Sequence, residues 1–171
     1  MWRILFLIPI LIATGCKGEE KEKAAQVEPG ADSVKVITTK KGRKLWVMKA
    51  AKVKEKGDTL IGFGVSVRFY RGGKVSSVLT ADSGKYDQVS GNMVAFGKVH
   101  LVSSDSVEMW SRSLRWDEKR QIIWTEDSVK IYDKKRDRTL YARGMETDAS
   151  VSYIKFLSPV RGEGKEEEFE K

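Results

Sequence analysis

The chain contains one pattern twice, at a spacing of 30 residues. Residues 79–87 read LTADSGKYD and residues 109–117 read MWSRSLRWD, so that Asp87 corresponds to Asp117. A partial third copy begins at Leu140. A fixed period of this size is typical of architectures in which each supersecondary unit stacks on the next. The repeat therefore predicts a body in which no single unit closes a core of its own.

Each copy has the periodicity and the composition of β-strands. Residues 99–101 and 129–131 alternate apolar and polar side chains, which is the period of a strand with one buried face. Residues 87–92 contain Asp, Asn and Gly, which favour turns. We interpret each unit as about four short strands joined by tight turns. We therefore expect an all-β fold, with strands from about Val34 to Leu157 and no long helix.

The first residues have the features of an export signal. Arg3 precedes an apolar run at residues 4–13, which would make roughly 15 Å of helix, half of a hydrocarbon core of about 30 Å. A cleaved signal peptide over residues 1–15 therefore fits better than a membrane span. Residues 13–16, Ala-Thr-Gly-Cys, resemble the lipobox before the acylated cysteine of bacterial lipoproteins. We predict that Cys16 carries a lipid anchor; the alternative is an ordinary secretory signal beside an unrelated cysteine.

Composition divides the rest of the chain into three parts. Residues 16–33, which begin with the cysteine, lack an apolar period and are expected to form a flexible linker. Residues 34–161 form the predicted β domain. Residues 162–171 form an acidic tail that we expect to be disordered.

The predicted β domain is strongly basic. It contains 26 Lys and Arg against 14 Asp and Glu, a net charge of +12. Such a charge favours anionic partners such as lipid head groups or phosphorylated glycolipids. Export argues against nucleic acid as a partner. The alternative is that the basic surface only aids solubility.

The sequence contains no recognisable catalytic or metal-binding motif. His100 is the only histidine, and it lies between two apolar residues of a strand pattern, which indicates a surface position. No cluster has metal-ligand spacing, and neither a phosphate-binding loop nor a nucleophile elbow is present. Asp87, Asp117 and Asp148 recur with the repeat, so turn capping explains them better than acid–base catalysis. We expect no enzymatic activity, no cofactor and no metal site.

From about Trp46 to Asp148 the sequence resembles the LptC family of lipopolysaccharide-export proteins. The resemblance is carried by the strand at residues 65–70, the first repeat at 79–87, the segment 97–101 and the segment 124–131. It implies an open, twisted antiparallel β-jellyroll of stacked short strands, similar to LptA and LptC. The curled sheet would hold the acyl chains of lipopolysaccharide in a hydrophobic groove.

The resemblance also implies partners and a location. Lipopolysaccharide would come from an inner-membrane ABC transporter of the LptBFG type and pass to an LptA-like bridge protein, joined through free strand edges. The sequence departs from the family in having a lipid anchor instead of a membrane-spanning helix. We expect the periplasmic side of the inner membrane, although Lys17 directly after Cys16 leaves the outer membrane open. The alternative function is a β-repeat scaffold or lipid-binding lipoprotein without a transport role.

Two sets of residues follow as candidates. The groove set comprises Val65, Val67, Phe69, Phe96, Val99, Leu101, Trp124, Val129 and Ile131. The partner-edge set comprises Val151, Tyr153, Ile154 and Phe156. Ordinary core packing remains the alternative for each groove residue taken alone.

Overall fold

The computed structural model describes residues 24–29 and 33–164, and all their helical or sheet structure is β-strand. The strands are β1 (Ala24–Pro29), β2 (Val34–Lys40), β3 (Arg43–Lys56), β4 (Thr59–Arg71), β5 (Lys74–Asp87), β6 (Met93–Ser103), β7 (Val107–Asp117), β8 (Ile122–Asp133), β9 (Arg138–Asp148), β10 (Ile154–Phe156) and β11 (Arg161–Gly164). The expected all-β fold is confirmed. The predicted signal peptide and Cys16 lie outside the described residues.

The strands form one antiparallel sheet in which chain order is also spatial order. Each strand from β1 to β10 pairs with the next, and β11 pairs with β9 beside β10. Consecutive pairing needs only short turns, which is why Gly and Asp recur between the strands. The sheet matches the open jellyroll that the sequence predicted.

The strands β3 to β9 are long, with 11 to 14 residues each. The expectation of about four short strands in each repeat is therefore wrong, because one repeat is two long strands. The pairing register shifts by one residue between Phe96 and Val99 of β6, and again between Thr125 and Ser128 of β8. At these places β6 and β8 each contain one extra residue, a β-bulge that bends the strand. For this reason the sequence pattern predicted two short strands where the structure has one bent strand.

Glycines with positive φ lie along the same line of bends. Gly64, Gly97 and Gly144 have φ angles of 61°, 69° and 76°, a region that side chains with a Cβ rarely occupy. A Cβ on Gly97 would also lie 2.7 Å from Oδ2 of Asp82 on the neighbouring strand. We call this line across the strands the fold line.

The sheet folds over at the fold line, so that the two halves of each long strand belong to two facing layers. Phe69, near the end of β4, packs against Trp116, near the end of β7, with ring centroids 5.0 Å apart. Trp46 of β3 meets Tyr86 of β5 edge-on at 5.2 Å. Such contacts join strands that are not neighbours in the sheet, and the core lies between the layers.

The recurring aspartates cap turns, as expected. Oδ1 of Asp87 accepts hydrogen bonds from the backbone N–H groups of Val89 and Ser90, both 2.9 Å long. Oδ1 of Asp117 accepts one from the N–H of Arg120 at 2.9 Å. Asp148 accepts one from the N–H of Ser152 at 2.7 Å, which confirms the prediction for all three residues.

Three boundaries differ from the sequence expectations. Ala24–Pro29, inside the expected linker, pairs with β2, and Arg161–Gly164 extends the sheet into the expected tail. Val151, the first residue of the partner-edge set, precedes β10, which begins at Ile154. Val151 lies in the preceding turn with φ of 57°, where Asp148 fixes the backbone, and so it cannot continue a strand. β1 and β11 lie at the edges of the sheet, where strands can be polar. Their polar composition therefore did not predict strands.

Candidate lipid-binding interior

Inward-facing side chains form a continuous apolar row across the first layer. Eight consecutive strands, β2 to β9, each contribute one residue, and each residue is the cross-strand neighbour of the next. The members are Val36, Met48, Val67, Leu79, Leu101, Met109, Ile131 and Leu140. Neighbouring strands lie about 4.8 Å apart, so the row runs for roughly 34 Å. We call it the long row.

A second row faces it from the other layer. It consists of Leu60, Tyr86, Met93, Trp116 and Ile123, again as successive cross-strand neighbours. Burial raises the pKa of the Tyr86 phenol, so this side chain is neutral in the interior. The two rows and their neighbours supply most of the buried core of the described residues.

The space between the layers is filled by side chains. An apolar cavity of about 20 Å³ remains, lined by residues of both layers such as Val67, Phe69, Leu114 and Ile123. A water molecule needs roughly 10–15 Å³ on this measure, so the cavity is far too small for an acyl chain. The interior is therefore closed in this structure.

The structure brings seven of the nine predicted groove residues together. These are Val65, Val67, Phe69, Val99, Leu101, Val129 and Ile131, all buried, with at most 4% of each residue exposed. They share the inner face of the first layer. Alternation within the strands predicted this placement, since every second residue faces the same side.

The placement of Phe96 and Trp124 in the interior is wrong. Both are half-buried on the outer face of the sheet, where the ammonium of Lys85 lies 5.8 Å from the Phe96 ring and the guanidinium of Arg115 lies 5.1 Å from the Trp124 ring. Alternation counted back from Val99 already places Phe96 outward. A cation over an aromatic face stabilises these rings outside the core.

Sequence reasoning missed a polar contact that joins the layers. Oε2 of Glu118 accepts hydrogen bonds from the indole N–H of Trp46 at 3.0 Å and of Trp116 at 2.6 Å. The side-chain amide of Gln121 donates to Oε1 of Glu118 at 2.9 Å. The backbone N–H of Glu118 donates to Oδ1 of Asn92 at 2.9 Å. Glu118 is only 4% exposed, although it lies in the turn between β7 and β8. We call Trp46, Trp116 and Glu118 the interlayer clamp.

A second contact ties the β4–β5 turn to the turn after β9. Nη1 of Arg71 donates to Oγ of Ser150 at 2.6 Å and lies 3.4 Å from Oδ2 of Asp148. Ser77 donates to the carbonyl of Ala149 at 2.5 Å. Burial alone would raise the pKa of Asp148, but hydrogen bonds from serine neighbours and the charge of Arg71 hold it below its usual value. Asp148 is therefore ionised at neutral pH.

The carboxyl-terminal edge of the sheet is formed by β10 and β11. Ile154 and Phe156 lie in β10 with half-buried side chains, and Tyr153, directly before it, is 50% exposed. Val151 was expected at this edge, but its side chain is 6% exposed and belongs to the core. Leu157 and Val160 add exposed apolar surface beside β10. Three of the four predicted edge residues thus lie together at the edge.

The described part of the chain contains neither a membrane-spanning helix nor a metal-binding cluster. Residues 24–29 and 33–164 contain no helix that is long and apolar enough to cross a membrane. Within the same ranges no group of three or more His, Cys, Asp or Glu residues is placed to hold a metal ion. His100 lies on the surface, stacked on Trp110 at 4.8 Å and bonded to Glu108 at 2.9 Å.

A single folded meander sheet around an apolar interior defines the class of LptA-like β-jellyroll proteins. A crystal structure of LptH from Pseudomonas aeruginosa, described as the LptA homologous periplasmic component of the conserved lipopolysaccharide transport device, has this fold. It matches with a TM-score of 0.53 and 11% sequence identity over 70% of this chain and 94% of that chain. A comparison with curated protein sequences finds no match.

The family model described as "Lipopolysaccharide-assembly, LptC-related" matches residues 5–165. The chain therefore belongs to the LptC-related family, as the sequence resemblance predicted. Proteins of this family are periplasmic transport components and not enzymes, and the chain has a role in lipopolysaccharide transport.

Proposed function

We propose that this protein is the membrane-anchored periplasmic component that receives lipopolysaccharide from an inner-membrane ABC transporter of the LptBFG type. It then passes the lipid to an LptA-like bridge protein through its interior. Membership in the LptC-related family and the jellyroll fold support this proposal. ATP hydrolysis in the transporter supplies the energy, so the chain itself needs no catalytic group.

The observation that carries the proposal is the long row. It presents an apolar residue on every strand from β2 to β9, with no charged side chain among its eight members. Acyl chains interact with such a surface without a preferred register, because the hydrophobic effect is non-directional. A lipid can therefore move along the row in small steps of similar energy.

The filled interior sets a requirement on this mechanism. Acyl chains can occupy the space only if the two layers separate, since the remaining cavity is about 20 Å³. Lipid binding therefore selects a more open state of the folded sheet. Such opening would change the backbone mainly at the fold line, which contains Gly64, Gly97 and Gly144, and would leave the rest of each strand nearly unchanged.

The lipid anchor at Cys16 is the second part of the proposal, and it rests on the sequence. Two or three acyl chains on one residue give stable membrane attachment, whereas one chain gives only reversible binding. Cys16→Ser is expected to leave an unprocessed precursor or to release the protein from the membrane fraction. Intact-mass analysis and fractionation measure this, with Lys17→Ala as a control that retains the cysteine. An unmodified Cys16 in the wild-type protein would contradict the anchor.

The carboxyl-terminal edge is the proposed contact with the bridge protein. Only one side of β10 is paired within the described sheet, so its other side can accept an added strand. A photo-crosslinker in place of Tyr153 is expected to capture an LptA-like protein in exporting cells. The same crosslinker at Lys119, exposed in the β7–β8 turn, is the control. Capture from Lys119 but not from Tyr153 would place the bridge protein elsewhere.

A further inference from the structure

The outer face of the first layer contains a trough between two rows of outward side chains. One row consists of Trp110, Lys130 and Tyr141, which are cross-strand neighbours on β7, β8 and β9. The other consists of Arg112, Ser128 and Arg143 on the same strands, each two residues away from its counterpart in the first row. Ser158 and Pro159 lie at one side, and the trough is a shallow depression that is open to solvent.

The trough is positively charged, and its cations have no carboxylate partners among residues 24–29 and 33–164. Arg112, Lys130 and Arg143 make no ion pair within the part of the chain that the structure describes, and no Asp or Glu lines the trough. Other surface arginines do find carboxylates: Arg120 pairs with Glu146 at 3.2 Å. Unpaired guanidinium groups keep their donors for an external anion, and their planar forks suit phosphate oxygens.

The position of Ser128 indicates where an anion would bind. Ser128 on β8 is the cross-strand neighbour of Arg143 on β9. On the other side of β8, Val129 pairs with Ser111 of β7, and Arg112 is the residue after Ser111. Two strand spacings separate the two arginines at the backbone, about 10 Å, a distance that a phosphate between their side chains can bridge. The Ser128 side chain lies between them on β8, and its hydroxyl can donate a hydrogen bond.

Trp110, one of the two aromatic residues of the trough, is not available for base stacking. His100 stacks on Trp110 with an interplanar angle of 8°, and Nζ of Lys130 lies 5.4 Å from the Trp110 ring centroid. Both neighbours hold the indole in place, whereas proteins that bind single-stranded nucleic acid use free ring faces. The exposed edges of Trp110 and Tyr141, with serine hydroxyls nearby, suit a ring that bears hydroxyl groups. This favours a sugar over a nucleobase.

We propose that this trough binds a phosphorylated saccharide, with the phosphate between Arg112 and Arg143 and the sugar beside Trp110 and Tyr141. The inference rests on the proposed function and deepens it, since it assigns the phosphorylated sugar of the transported lipid a binding site on the outer face. Direct phosphate contacts also explain why the basic charge is left unpaired here.

The test measures binding of an acyl-free diphosphorylated glucosamine disaccharide by calorimetry at about 0.15 M salt, where long-range attraction is screened. Arg112→Gln with Arg143→Gln is expected to raise Kd roughly tenfold or more, because charge-assisted hydrogen bonds to phosphate are lost. Lys52→Gln with Arg68→Gln removes the same charge from exposed sites outside the trough and is expected to leave Kd unchanged. All four residues are exposed, so thermal unfolding should stay the same in both variants.

Additional measurements distinguish the lipid-borne head group from the free disaccharide, and failure of the trough from failure of the interior proposal. The acylated disaccharide in phosphatidylcholine vesicles, compared with plain vesicles, shows whether the lipid-borne head group depends on the same arginines, and such dependence supports the site. Equal losses in both double variants, or no binding of the acyl-free disaccharide, would overturn the proposal. Inorganic phosphate that binds as tightly as the disaccharide would overturn recognition of the sugar. Lipid capture by interior residues is measured separately, so failure of the trough leaves the interior proposal standing.

Discussion

Glu118→Ala is expected to lower the free energy of unfolding by about 3–5 kcal/mol, a large fraction of the stability of a domain this size. The substitution leaves the indole N–H groups of Trp46 and Trp116 buried without an acceptor. A lost hydrogen bond to a charged group costs about 1.5–3 kcal/mol, and a buried donor without a partner carries a desolvation penalty. Urea denaturation followed by tryptophan fluorescence measures the change.

Two matched variants make the result specific to the interlayer clamp. Glu118→Gln retains a carbonyl oxygen for the indoles and is expected to cost less than the alanine variant. Glu126→Ala removes an exposed carboxylate from β8 and is expected to change stability by less than about 0.5 kcal/mol. A loss below about 1 kcal/mol for Glu118→Ala would mean that water replaces the carboxylate and that the layers do not depend on this contact.

The inner face of the first layer could be predicted from the sequence because its signal is local. Val99 and Leu101, like Val129 and Ile131, alternate with polar residues, and the 30-residue repeat aligns the two pairs on neighbouring units. Strand alternation then gives the face of each residue without knowledge of the fold. The long row follows from these local patterns together with the consecutive pairing of strands.

The fold line could not be predicted in the same way. On β5 the inward residues are Leu79 and Ala81 before the line and Tyr86 after it, so alternation changes phase. On β6 one extra residue restores the phase, and Val99 and Met93 face the same interior. These shifts depend on how two strands bend together, which no single strand pattern contains. For this reason one bent strand was interpreted as two short strands.

The interlayer clamp was hidden for a different reason. A glutamate in a turn such as residues 117–120 usually faces solvent, and its partner Trp46 lies 72 residues earlier in the chain. Burial of Glu118 becomes evident only when the second layer folds over the first and brings two indoles to the same carboxylate. Its sequence signal is weak, since tryptophans are common in any β core. The sequence likewise indicated the unpaired arginines of the trough only as part of the general positive charge of the β domain.

The closed packing of the interior determines which inner positions can capture lipid in a crosslinking experiment. Side chains of the long row are shielded in the resting state, so lipid reaches them only in the open state selected by binding. The accessible inner positions are those near the sheet edge, such as Leu140, which is half-buried and packs against the core. Fully buried positions such as Leu101 would tolerate a bulky probe poorly, since overpacking costs roughly 1–3 kcal/mol.

A photo-crosslinker at Leu140 is therefore expected to capture lipopolysaccharide at least tenfold more than crosslinkers at Thr80 and Glu126. The Leu140 side chain faces the interior, whereas Thr80 and Glu126 are exposed outside it. Leu140 meets acyl chains when the layers separate, and the exposed pair does not. Crosslinked lipid is measured by immunoblotting in cells that actively export lipopolysaccharide, with export-inactive cells as the background.

The outer aromatic residues provide the sharpest control. Phe96 and Trp124 are apolar and large, but they lie on the outer face beneath Lys85 and Arg115. A crosslinker that reports only hydrophobicity would capture lipid there as well as at Leu140, whereas transport through the interior predicts little capture. Equal capture at Leu140 and Trp124, or none at Leu140 during active export, would show that acyl chains do not travel between the layers. Strong capture at Leu140, with little at Phe96 and Trp124, would establish the long row as the lipid path.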